Sequence, residues 1–63
     1  MKIRDLLKLL ERNGWRLVRT KGSHRQFQLS VKRGIVTVAG SPGLDVPIGT
    51  LKSILKSAGL EEP

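Results

Sequence analysis

The chain has no cysteine and no tyrosine, and it holds one tryptophan, one phenylalanine and one histidine among 63 residues. Without cysteine there is no disulfide framework, no thiolate metal site and no thiol nucleophile. A cytoplasmic protein fits that absence and is the expectation. Two aromatic side chains are too few for a platform on which successive bases of a single strand stack. One histidine with scattered carboxylates offers no ligand cluster, so neither a metal nor a cofactor is expected. No apolar run approaches the roughly 20 residues that span a bilayer. The opening stretch, "MKIRDLLKLLERNG", starts basic and holds apolar residues, but charges interrupt it. It also lacks a small-residue cleavage site, so no secretory signal is expected.

Acidic residues are scarce as well. Five Asp and Glu stand against twelve Lys and Arg, for a formal net charge of +7. Between Glu11 and Asp45 there is no acidic residue at all, while Arg12, Arg16, Arg19, Lys21, Arg25, Lys32 and Arg33 fall in that interval. A polyanion is the natural partner for such a segment, because each cation that neutralises a phosphate releases a counterion. A solvated basic face that keeps a small domain soluble, or one that docks an acidic protein, has the same composition.

A chain of this length forms one domain, expected over residues 1–63, with a modest core. Ile3, Leu6, Leu7 and Leu10 recur at i, i+3, i+4, i+7, which predicts an amphipathic helix over 2–13, ended by Asn13-Gly14. From Trp15 the period becomes two, and "WRLVRT" predicts a first strand, followed by a turn at Lys21-Gly22. In "HRQFQLSV" the same period sets Arg25, Phe27, Leu29 and Val31 against His24, Gln26, Gln28 and Ser30. Phe27 and Leu29 are expected in the core, so His24 should face away from it. After a turn at Lys32-Arg33-Gly34, the β-branched "IVTVA" predicts a third strand. Thr50 is a candidate N-cap for a last helix with the stripe Leu51, Ile54, Leu55 and Ala58, closed by Gly59 and Leu60. The order is α-β-β-β-α, an α+β fold with a three-stranded antiparallel sheet covered on one face by two helices. Trp15, directly after a helix-ending glycine, is expected to pack in or beside the core.

In this order the segments "GWRLVRTKGSHRQF" and "GTLKSILKSAGL" resemble the HicA-type toxins of bacterial and archaeal toxin–antitoxin systems. The resemblance runs from about residue 2 to residue 60 and rests on Gly14-Trp15, Gly22-Ser23-His24, Thr37-Val38 and Gly49-Thr50-Leu51 at family-like intervals. It implies a fold like that of double-stranded-RNA-binding domains and metal-independent cleavage of mRNA, with His24 as the catalytic residue. It also implies a HicB-type antitoxin partner that masks the site, and with it a toxin–antitoxin assembly; a domain this small can also gain stability as a homo-oligomer. The chain departs from the family in one place. A Pro-x-His pattern is common there after the third strand, whereas this sequence reads Ala39-Gly40-Ser41, with Leu44 and Ile48 where lysines are common.

Histidine suits RNA cleavage because an unperturbed imidazole titrates at about pH 6.5, leaving both forms populated near neutrality. With one histidine, phosphate charge must be met by other groups. Lys21, Arg25 and Lys52 are the candidate cations, and Gly22-Ser23 can orient a phosphate oxygen. Gln26 and Gln28, on the face of His24, can hydrogen-bond ribose or phosphate, or stand simply solvated. Gly49-Thr50 at the start of the last helix offers N–H groups and the positive dipole end, and Lys52 and Lys56 can extend an anion contact along it. An ordinary capped helix with solubilising lysines has the same sequence. A non-catalytic RNA-binding module and a basic protein-interaction domain are the alternatives to a nuclease.

Overall fold

The computed structural model describes residues 1–60; Glu61, Glu62 and Pro63, part of the expected domain, lie outside the described residues. The elements are α1 (Ile3–Arg12), β1 (Arg16–Lys21), β2 (His24–Gln28), β3 (Ile35–Ala39) and α2 (Ile48–Ser57). The three strands form one antiparallel sheet in the order β1-β2-β3. The expected α-β-β-β-α order and its antiparallel meander are present.

Both helices lie against one face of this sheet. The buried cluster joins Ile3, Leu6 and Leu10 of α1 with Phe27 of β2, Val36 and Val38 of β3, and Ile54 of α2. Trp15, Val46 and Ala58 complete it, and Leu7, Leu51, Leu55 and Leu60 pack around it. These are the two helical stripes and the single phenylalanine that the periodicity selects. Burial of their apolar surface is the main driving force for the fold.

Each helix ends in the same device. Trp15 N–H donates to the Leu10 carbonyl and Gly14 N–H to that of Glu11; Leu60 N–H donates to Leu55 and Gly59 N–H to Lys56. These are the two bonds of a Schellman motif, and the residue after each glycine is turned back into the core. Trp15 is thereby 2% exposed, just before β1 begins.

The helix starts differ from the sequence expectation. α2 begins at Ile48 with Pro47 as its N-cap, so Thr50 sits inside the first turn and caps nothing. The physical reason is that Pro47, at φ −55°, already has an extended conformation leading into the helix, and its carbonyl takes the first intrahelical bond from Leu51. α1 has no side-chain cap either. Its free N–H groups are met by the loop before α2: Ile3 donates to Leu44 and Arg4 to Pro42, while Val46 donates back to Met1. Lys2 and Asp45 add a bridge and a 3.4 Å ion pair at the same seam.

β2 is shorter than the alternation of 24–31 suggests. Gln28 pairs with Arg16 on one side and Ile35 on the other, and neither neighbour continues past it. With no ladder partner the chain leaves the sheet, and residues 29–34 form the connection to β3. Leu29, expected in the core, is 43% exposed, and Val31 is 90% exposed.

Candidate functional site

With both helices on the Phe27 side, the other face of the sheet is open. Directly paired residues on antiparallel strands point to the same side, so the pairing defines what that face carries. One row is Lys21, His24 and Ala39; the next is Arg19, Gln26 and Thr37; the third is Arg16, Gln28 and Ile35. His24 is exposed and faces away from the core, as the period-two pattern predicts. It lines an open depression together with Arg19, Lys21, Gln26 and Thr37.

Strict alternation separates Arg16 from Arg19 and Lys21, because odd and even positions of a regular strand face opposite ways. In the structure Leu17 pairs with Phe27 and Arg19 with Gln26, leaving Val18 as an extra residue. This β-bulge shifts the period by one and brings Arg16, Arg19 and Lys21 onto the face of His24. Arg19 and Lys21 beside the imidazole, with Arg16 farther along the same face, make a surface that attracts phosphate. Arg16, Arg19 and Thr37 were not among the site residues expected from the sequence. A bulge leaves no mark in composition or motif, so only the basic, acid-free segment as a whole signalled them.

The turn before His24 comprises Gly22 and Ser23, one residue later than expected, because Lys21 already pairs with His24. Gly22 has φ +60° and Ser23 a negative φ, the pattern of a two-residue hairpin loop with glycine first. Lys21, Gly22, Ser23 and His24 are exposed, whereas Gln26 and Gln28 are half-buried between the flanking strands.

The remaining expected residues lie elsewhere. Arg25 points to the covered side, partly buried, and its Nη1 donates to the Gly40 carbonyl at 3.1 Å. Thr50, Lys52 and Lys56 are exposed on α2, the layer across the sheet from His24, and none of them lines the depression. Beyond the depression a second hollow mixes Arg16, Gln28 and Ser30 with the apolar Val18, Leu29 and Val31. Among the described residues, no three of the His, Asp and Glu side chains come together as metal ligands. Among the same residues, no helix is long and apolar enough to cross a membrane.

No curated protein matches the chain. The family model of the HicA toxin of bacterial toxin–antitoxin systems matches residues 3–60. That span holds every helix and strand described above, the bulged β1 and the Gly22-Ser23-His24 turn included. The chain belongs to the HicA toxin family, and so is the toxin of a toxin–antitoxin system with an antitoxin as its partner.

Proposed function

We propose that this protein is a metal-independent endoribonuclease that cleaves mRNA with His24 as its general acid–base group. The observation that carries the proposal is the position of His24: exposed, on the open sheet face, with Arg19, Lys21, Gln26 and Thr37 around one depression. As neutral imidazole, His24 accepts the proton of a 2′-hydroxyl, and the 2′ oxygen attacks the adjacent phosphorus. The bond to the 5′ oxygen breaks, and the imidazolium returns its proton to that oxygen. The products are a 2′,3′-cyclic phosphate and a 5′-hydroxyl end, so protons and electrons balance. Arg19 and Lys21 stabilise the charge that accumulates on the phosphate oxygens. Gly22, Ser23, Gln26 and Gln28 make further RNA contacts, and Arg16 extends the basic strip. Thr50, Lys52 and Lys56 stand on the opposite layer, and the chemistry does not need them.

The antitoxin in this proposal is of the HicB type and covers the same face. The cytoplasm, where mRNA is present, is the compartment in which the pair acts.

The test is cleavage of a long single-stranded RNA in the presence of EDTA, with wild type and His24→Ala compared after both are shown to be folded. Wild type should cleave, leaving 5′-hydroxyl ends, and His24→Ala should lose about 10²–10⁴ in rate. Equal cleavage by the two proteins would remove His24 from the mechanism. One feature favours a second reading, an RNA-binding module without cleavage: among the described residues, the depression is lined by one imidazole and no carboxylate. Absence of cleavage by wild type, with RNA binding that survives His24→Ala, would establish that second reading.

A further inference from the structure

Arg25 follows His24 directly, in the most basic stretch of the chain, and would ordinarily be taken for a phosphate contact. The structure uses it otherwise. Its guanidinium leaves the open face and donates to the carbonyl of Gly40, the first residue beyond β3. The N–H of the same Gly40 donates to the carbonyl of Ser23, at 3.2 Å, as the last rung of the β2–β3 ladder, so the Arg25 bond is the one added beyond it. His24 therefore lies between two attachments to one residue: the peptide before it is held by the Gly40 N–H, and the side chain after it by the Gly40 carbonyl.

Little else holds this corner of the sheet. Lys21 and Ala39, the partners of His24, are the last residues of β1 and β3, so the ladder ends here on both sides. Gly22 and Ser23 are exposed. Strand ends of this kind fray unless something beyond the ladder ties them. The attachment thus runs from the Arg25 side chain through Gly40 to the His24 turn.

We infer that Arg25 is a positioning residue, which through Gly40 holds the Gly22–Ser23 turn and so aims the His24 imidazole over the open face. The inference rests on the acid–base role proposed for His24, and it makes a claim about the backbone that stands independently of cleavage. Lysine keeps the charge but carries it on a compact, strongly hydrated ammonium, which gives up its water less readily than a guanidinium for a partly buried carbonyl. A misplaced catalytic group is costly in rate while leaving the binding charges where they were.

Arg25→Lys is the informative variant because it keeps the charge. Two measurements are made on it: kcat and KM for RNA cleavage across a range of salt, and amide hydrogen exchange at Gly40. The inference expects kcat to fall roughly 10–100-fold, with KM and its salt dependence unchanged. It also expects faster exchange at Gly40, with the core amides of Val36 and Val38 as protected as in wild type. Unchanged exchange at Gly40 overturns it, whatever happens to cleavage. Unchanged kcat with raised KM also overturns it and makes Arg25 a phosphate contact. Loss of protection at Val36 and Val38 as well would make Arg25 a general stability residue, which overturns it too. If wild type does not cleave while Gly40 exchange responds to Arg25→Lys, the nuclease proposal fails and the attachment of the turn stands.

Discussion

Gly14 and Gly59 occupy equivalent places after α1 and α2, at φ +88° and +71°, and the surroundings of the two differ. A Cβ on Gly14 would sit 3.0 Å from Leu29 Cδ1, whereas one on Gly59 would meet the guanidinium of Arg33. Each is the far end of a flexible side chain that can move aside, and Leu29 is 43% exposed. Alanine at either position bears the left-handed backbone cost of about 1–2 kcal/mol. Urea denaturation should therefore show both Gly59→Ala and Gly14→Ala destabilised by about that amount. A Gly14→Ala protein as stable as wild type would mean that this helix does not end in the motif described. Both glycines were legible in the sequence, since glycine after a helical stripe has one common purpose. Thr50 misled for the converse reason: threonine caps helices often, but Pro47 had already started this one.

At the scale of elements, β1 carries the lesson. It is exposed along its whole length, and its alternation reads as a regular strand in the sequence. Val18, however, is the extra residue of a bulge, with the pairing on both sides of it in register without it. Deleting Val18 should leave the pairs Arg16–Gln28, Leu17–Phe27, Arg19–Gln26 and Lys21–His24 intact. Since Val18 is 52% exposed, little core is lost with it. Deleting Thr20 instead straightens the strand by turning Arg19 to the covered side. RNA titrations should show the Val18 deletion binding like wild type, and the Thr20 deletion with a salt slope smaller by about 0.7, the share of one single-strand phosphate contact. Equal effects of the two deletions would contradict the bulge. The helices, by contrast, were readable to within three residues, because each keeps one apolar stripe of constant period.

At the scale of the molecule, two layers divide the labour. The helices and the covered sheet face supply the core, and the open face carries His24 with Arg16, Arg19 and Lys21. A net charge of +7 makes any RNA affinity salt-dependent, but the layers predict where the dependence originates. Replacing Arg16, Arg19 and Lys21 together by alanine should reduce the slope of log K against log salt by about 2. Replacing Lys52 and Lys56, which stand on α2, should leave it unchanged. The opposite pattern would move the RNA to the helical layer and detach it from His24.

The sequence by itself determined the element order, the membership of the helical stripes, the burial of Phe27 and the outward direction of His24. Each follows from a local period or from a residue with one strong conformational preference, and such information is carried by a few neighbours in the chain. Tertiary structure alone decided where β2 stops, because a strand extends only as far as its partners do. It also decided that Arg16 joins Arg19 and Lys21, because a bulge exists only in a pairing, and that Arg25 turns to Gly40, fifteen residues away. The faces of the sheet were written in the sequence; the company His24 keeps was settled by how the strands meet.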